Sequence, residues 1–157
     1  MKYTDLKTFE DACKVLELDA KKVILDFSCL PEEEQKAMIA HIKLVFIAKA
    51  ANKIENGGEV WIPDWNNQNE HKYYPWFKAG LSGLRYGVYG VWDSNSGVGS
   101  RLCYKTSELA KYIGNQFSGL YDDYFIIEKV VENSFLNYKG IEWSPEKLKK
   151  MIDKNLK

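Results

Sequence analysis

Aromatic and cationic side chains are concentrated in the middle of the chain, where ten large aromatic residues lie between Glu59 and Tyr104. Trp and Tyr rings stack on flat ligands such as nucleobases, and Arg pairs with phosphate through two parallel hydrogen bonds. Both arginines of the protein lie in this segment. We therefore predict a binding surface for a nucleotide-like anion or a host macromolecule, formed by Trp65, Tyr73, Tyr74, Trp76, Arg85, Tyr89, Trp92, Ser100, Arg101 and Lys105.

A core role is the alternative for the same aromatic residues. Aromatic side chains bury large areas and dominate the energetics of small cores. In that interpretation Trp61, Trp76, Tyr86 and Trp92 pack inside a small sheet and contact no ligand. The sequence leaves open whether the aromatic segment faces the core or the solvent.

The run Val98-Gly99-Ser100-Arg101 has two interpretations. Successive backbone amides around a glycine can form a nest for an anion. The preceding Asp93-Ser94-Asn95-Ser96-Gly97 is instead typical of an ordinary turn, and we favour the turn. The spacing of a phosphate-binding P-loop is absent from the sequence.

Catalytic and metal-binding residues are scarce in the sequence. Three cysteines and two histidines are scattered at positions 13, 29, 41, 71 and 103, without the spacing of metal ligands. Cys103 with His71 is the one nucleophilic pair to consider, which would make the chain a small cysteine-dependent hydrolase. We favour a half-buried strand cysteine and predict a non-enzymatic protein with no metal and no cofactor.

The charge distribution excludes some functions. The chain has 22 basic and 22 acidic side chains, so it lacks the cationic excess of a general nucleic-acid binder or a polybasic membrane binder. Residues 71–118 nevertheless carry six basic side chains against two acidic ones. The odd number of cysteines and the N-terminus, which has no apolar leader region, favour a cytoplasmic setting without membrane association.

The elements that must position these residues are helical at both ends. Thr8 with Asp11 predicts a capped first helix. Pro31 followed by three glutamates predicts the start of a helix of about 25 residues, which ends near Asn56-Gly57-Gly58. An apolar side of this helix is also compatible with a homo-oligomer. Thr106 predicts the cap of a later helix, and a short basic helix is expected over Lys147 to Lys154.

A β-hairpin is expected between these helical parts. Leu84 to Trp92 alternates, with Leu84, Tyr86, Val88 and Trp92 on one face and with Arg85, Tyr89 and Val91 on the other. We predict that it pairs with Ser100–Lys105, so that Arg85, Arg101 and Lys105 share a face. The fold class is thus α+β, as a single domain over 1–157 that is helical over 1–58, an aromatic-rich β segment over 59–105 and helical over 106–157.

Several segments resemble one protein family. They are Leu6–Cys13, Asp26–Ser28, Lys36–His41, the PDWNN run 63–67, the KYYPWF run 72–77 and the VGSRLC run 98–103. Over most of residues 6–125 the chain resembles hypothetical proteins encoded by phages and prophages of gut Bacteroidales. The resemblance implies a viral protein acting in the cytoplasm of an infected bacterium, and it supplies no catalytic residue or substrate.

The function expected from these observations is that of a phage-encoded binding module that captures a nucleotide-like ligand or a host protein, for example against a nucleotide-using host defence. The first alternative is a structural or lectin-like recognition protein of the virion, in which the hairpin is an adaptable contact surface. The second is the cysteine-dependent hydrolase.

Overall fold

The computed structural model describes residues 1–80 and 83–127, and the elements in this part of the chain confirm the α+β class. Helices precede and follow a central antiparallel hairpin, as predicted. The order is a 3-10 turn at Tyr3–Asp5, helices α1 (Phe9–Val15), α2 (Ala20–Val23) and α3 (Glu32–Glu55), strands β1 (Lys72–Gly80) and β2 (Gly83–Trp92), and helices α4 (Ser107–Gln116) and α5 (Ser118–Phe125).

The helix starts follow the capping signals in the sequence. The Oγ1 of Thr8 accepts a hydrogen bond from the Asp11 amide, and the Asp11 carboxylate accepts one from the Thr8 amide. The Oγ1 of Thr106 accepts one from the Leu109 amide in the same way. Each bond satisfies an amide that has no partner within its helix, and both predicted caps are therefore confirmed.

Helix α3 has 24 residues and confirms the predicted long helix. It begins directly after Pro31, whose position is its N-cap. It ends before Asn56 and Gly57, and Gly57 has a φ of +70°, the left-handed conformation with which glycine ends many helices. Its buried side contributes to the core Ala40, Leu44, Ile47, Ala48, Ala50 and Ala51.

The partner of strand β2 is not the one predicted. It pairs with β1, from Lys72↔Trp92 at the open end to Gly80↔Gly83 at the tip. Ser100–Lys105 contributes a single bridge, in which Tyr104 and Tyr73 exchange backbone hydrogen bonds of 2.7 and 2.9 Å. Strand β1 contains Pro75, which is tolerated because β1 is an edge strand of a two-stranded sheet, where the missing N–H breaks no ladder.

A bulge at Gly87 changes which residues of β2 lie on the same face of the hairpin. Trp76 pairs with Val88 and Phe77 with Tyr86, so Gly87 has no partner across the hairpin. Tyr86 and Val88 therefore lie on opposite faces, and the prediction that they share a face is wrong. The extra residue of a bulge shifts the alternation by one position.

The inner face of the hairpin packs on helices α4 and α5. The Phe77 ring lies 4.6 Å from the Tyr121 ring. A Cβ at Gly114 would lie 2.7 Å from Pro75 Cβ, so the glycine allows the strand to approach α4 closely. Beneath this contact the buried hydroxyls of Tyr104 and Tyr121 are 3.0 Å apart, which gives each of them a hydrogen-bond partner.

Residues 1–127 form one compact unit. The predicted helix over Lys147 to Lys154 lies outside the described residues, so a single domain over 1–157 stays a prediction. Within residues 1–80 and 83–127, no helix is both long and apolar enough to cross a membrane.

Candidate functional site

The ten predicted binding residues do not form one surface. Tyr104 bridges Tyr73 near the open end of the hairpin, opposite Val91, whereas Arg85 lies near the tip. Six residues of strand at about 3.3 Å each separate Val91 from Arg85, a distance of about 20 Å. The prediction that Arg85 shares a face with Arg101 and Lys105 is therefore wrong, because Ser100–Lys105 does not pair along β2.

Lys105 stabilises the fold at the end of α3. Its backbone amide donates a hydrogen bond of 2.9 Å to Asn52 Oδ1, and its ammonium donates one of 2.7 Å to Asn56 Oδ1. Asn52 also donates to the carbonyl oxygen of Cys103 at 2.9 Å. These bonds give Lys105 a structural role and tie the segment before α4 to the long helix.

Trp65 and Ser100 are brought together, and they contact each other. The indole N–H of Trp65 donates a hydrogen bond of 2.7 Å to Ser100 Oγ. The Trp65 ring also lies 5.5 Å from the ammonium of Lys72, which is fully buried. That ammonium donates hydrogen bonds to the carbonyl oxygens of Asp64 and Asn67. Lys72 therefore stabilises the loop before β1 and does not face a ligand.

Four of the predicted aromatic residues pack against neighbours at the open end of the hairpin. Tyr74 is buried and stacks on Trp92, with ring centroids 5.4 Å apart. Tyr73 makes an edge contact of 5.5 Å with Tyr89, which is partly exposed. Tyr74 is thus buried, whereas Trp76, which the core interpretation places inside the sheet, is more than half exposed.

The remaining two hairpin residues, Trp76 and Arg85, lie on its outer face, which turns away from α4 and α5. We use the name outer face for the exposed residues Trp76, Lys78, Arg85 and Val88. The side chains of Trp76 and Val88 are 53% and 52% exposed. Apolar and cationic groups are thus adjacent on one surface of the hairpin.

Ser100 and Arg101 line a groove of about 890 Å³ to which no residue of β1 or β2 contributes. Helix α3 forms one wall through His41, Val45, Lys49 and Asn52. The other walls come from residues 60–63, from the loop 97–102 and from the end of α5 at Tyr124 and Phe125. The ring of Tyr124 stacks on His41 with centroids 4.6 Å apart, which fixes both side chains at the edge of the groove.

The loop that presents Arg101 is a turn closed by a serine. Ser96 Oγ accepts hydrogen bonds from the amides of Val98 and Gly99, at 3.0 and 2.7 Å. Gly99 has a φ of +63°, a conformation that glycine adopts without strain. Because Ser96 occupies these two amides, the geometry supports the predicted turn and opposes an anion nest there.

The candidate nucleophile Cys103 is unsuited to catalysis. Its side chain is fully buried, and this burial raises the pKa of the thiol to about 12. The thiolate, which is the reactive form, is therefore scarce at neutral pH. His71 Nδ1 lies 2.7 Å from Asp93 Oδ1 at the exposed base of the hairpin. Among the described residues no group of His, Cys, Asp and Glu side chains is arranged to hold a metal ion.

Sequence reasoning missed several residues of these surfaces, among them the cations Lys49 and Lys78 and the apolar Val88. Lys49 follows Val45 by four positions and His41 by eight, so helical periodicity could have placed the three on one side of α3. Lys78 follows Trp76 by two positions, the spacing that puts strand residues on one face. Val88 could not be assigned to that face without knowledge of the bulge.

No family model, curated protein or solved structure matches the chain. The resemblance to phage-encoded proteins therefore stays a prediction, and the groove and the outer face are the features on which functional proposals rest.

Proposed function

We propose that the chain is a non-enzymatic binding protein that holds a nucleotide-like anionic ligand in the groove. The observation that carries this proposal is the pair of cations in its lining, Lys49 and Arg101. Both residues are exposed, and neither has a carboxylate oxygen within 4.0 Å among the residues that the structure describes. A phosphate would supply the missing counter-charge to both.

The rest of the lining suits the base of such a ligand. A volume of about 890 Å³ falls in the range of small-molecule sites, which is about 300–1,000 Å³. The lining includes the apolar side chains of Val45, Trp61, Val98 and Leu102. Trp61 and the stacked His41–Tyr124 pair offer flat surfaces for a heterocycle, since stacking on an aromatic side chain contributes about 1–3 kcal/mol per base.

A binding role is favoured over the hydrolase because the thiol that the hydrolase would need is buried and protonated. The setting is part of the proposal. The resemblance to phage proteins favours the cytoplasm of an infected bacterium, where capture of a nucleotide signal would counter a host defence. Location in the virion is the alternative, and the protein would then be found in purified particles.

The first test is native mass spectrometry of the protein purified from a bacterial host, repeated under denaturing conditions. We expect a non-covalent mass of nucleotide size that is lost on denaturation. The same spectra give the oligomeric state. An apo mass, together with no binding of added AMP or ATP, would overturn the proposal.

Substitutions locate the binding. We expect Arg101→Gln and Lys49→Gln to weaken ATP binding by at least about tenfold each, which corresponds to the loss of one charge-assisted contact. Lys111→Gln is the matched control, because Lys111 is an exposed cation of α4 outside the groove. Tripolyphosphate serves as a probe without a base, and binding equal to that of ATP would contradict the role of the aromatic walls. Equal affinities of all three variants would contradict the assignment of the groove.

A further inference from the structure

The outer face of the hairpin exposes two large apolar side chains in register with each other. Trp76 and Val88 are cross-strand partners, and each is more than half exposed. A scattered exposed apolar residue is normal, whereas a paired Trp and Val form a continuous patch. None of the four outer-face residues lines the groove, so this surface is separate from the proposed ligand site.

The Trp76 ring has a firm support. It contacts the ring of Tyr74 at 6.2 Å, and Tyr74 is itself stacked on Trp92. Tyr74 lies over Gly90, its cross-strand partner, where a larger residue would overlap its ring. An aromatic side chain that is already held in place loses little entropy on binding, which is a property of residues that dominate protein interfaces.

Two cations stand opposite each other beside this patch. Lys78 and Arg85 are cross-strand partners, and like charges in this arrangement destabilise a hairpin. The Lys78 side chain lies over the bulge residue, since a Cβ at Gly87 would lie 3.3 Å from Lys78 Cγ. Within 1–80 and 83–127 no carboxylate oxygen lies within 4.0 Å of either cation. Among these residues the two cations have no counter-charge, and an anionic partner would supply one.

We propose that the outer face binds an acidic segment of a partner protein, which places an apolar side chain on Trp76 and Val88 and carboxylates on Lys78 and Arg85. The charge of the face selects an acidic partner, and Trp and Arg are the residue types that most often anchor interfaces. A protein partner is favoured over nucleic acid because the face offers only two cations and the whole chain is neutral, whereas nucleic-acid affinity depends on many phosphate contacts.

The test measures binding of a fluorescein-labelled peptide of alternating Glu and Leu residues by anisotropy. A peptide with Lys in place of Glu is the charge control, and labelled oligothymidine is the nucleic-acid probe. We expect the Glu–Leu peptide to bind and the Lys–Leu peptide not to bind. The binding is expected to weaken as the salt concentration rises, since salt screens exposed charges. Failure of the Glu–Leu peptide to bind overturns the proposal, and so does oligothymidine binding that is as strong.

Variants separate this surface from other parts of the molecule. Lys78→Glu, Arg85→Glu and Val88→Ser are each expected to weaken peptide binding by at least about tenfold. Lys111→Glu makes the same change of charge on α4 and is expected to leave it unchanged. Arg101→Gln is also expected to leave peptide binding unchanged. A failure of the groove proposal would therefore be distinguishable from a failure of the outer-face proposal. Equal effects of Arg85→Glu and Lys111→Glu would overturn the assignment to the outer face.

Discussion

Asn52 and Cys103 are joined by a hydrogen bond of 2.9 Å from the side-chain amide of Asn52 to the carbonyl oxygen of Cys103. The oxygen of the same amide accepts the backbone N–H of Lys105, so one side chain satisfies two groups of the facing segment. Asn52 is buried and also lines the groove. It therefore fixes the distance between the α3 wall and the wall that contains Arg101.

Asn52→Leu is expected to destabilise the protein by about 2–6 kcal/mol, because it leaves two backbone groups without a partner and each costs about 1–3 kcal/mol. Urea unfolding followed by circular dichroism measures the change. Gln68→Leu is the control, since Gln68 is exposed and its substitution is expected to change the stability by less than about 0.5 kcal/mol. Equal stabilities of the two variants would show that the two hydrogen bonds of Asn52 make no net contribution to the free energy of unfolding.

The three cysteines are expected to react at different rates. Cys29 is exposed, whereas Cys13 and Cys103 are buried and burial raises the pKa of both thiols. Alkylation by iodoacetamide near pH 8 is expected to modify Cys29 first, with Cys103 reacting only as the protein unfolds. Peptide mapping by mass spectrometry gives the rate at each position. Cys103 reacting as fast as Cys29 would revive the hydrolase alternative.

Stability is expected to fall in alkaline solution. Burial raises the pKa of Cys103 to about 12 and that of the Tyr104 and Tyr121 hydroxyls above their ordinary value of 10.0. The unfolded chain loses these protons at lower pH than the folded protein, so each group lowers the free energy of unfolding as the pH rises through its unfolded pKa. The decline therefore begins near pH 9, the ordinary value for cysteine. Thermal unfolding between pH 7 and 11 measures it, and Cys103→Ala is expected to reduce the slope.

The helices could be predicted from the sequence because their signals are local. The cap at Thr8 lies within three residues of Asp11, and the start of α3 is marked by Pro31 and the glutamates that follow it. Strand pairing depends on residues far apart in the chain. The clear alternation covers only Leu84–Trp92, and the KYYPWF run contains Pro75. The sequence therefore did not indicate that this run is the partner strand.

The candidate site could be predicted only as a list of residue types. Tyr74 and Trp76 are two positions apart on the same face, yet one is buried and the other is more than half exposed. The difference arises because Tyr74 stacks on Trp92 and lies over Gly90, contacts that depend on register. Sequence periodicity indicates on which face of a strand a residue lies. It does not indicate which neighbouring side chains cover that residue.

Gly90→Ala is expected to destabilise the hairpin by about 1–3 kcal/mol, the usual cost of overpacking. The new methyl group would overlap the Tyr74 ring, which must move away from Trp92. Near-ultraviolet circular dichroism and tryptophan fluorescence report the change around Trp92. Gly97→Ala is the control, because a Cβ there would make only an ordinary contact of 4.0 Å with the Trp92 ring. A Gly90→Ala spectrum identical to that of the Gly97→Ala variant would contradict this packing.

Arg85→Glu is expected to make the protein more stable while it weakens binding at the outer face. The substitution replaces a repulsive cross-strand pair with an attractive one opposite Lys78, and opposite charges in this position contribute about 0.2–1 kcal/mol. Thermal unfolding at low and high salt measures the gain, which is expected to shrink as salt screens the pair. Lys111→Glu, a change of the same charge on α4, is expected to show no such gain. A less stable Arg85→Glu variant would mean that Arg85 makes a stabilising contact within the fold. A gain in stability together with loss of peptide binding would indicate that the two cations are retained for a partner at a cost to the hairpin.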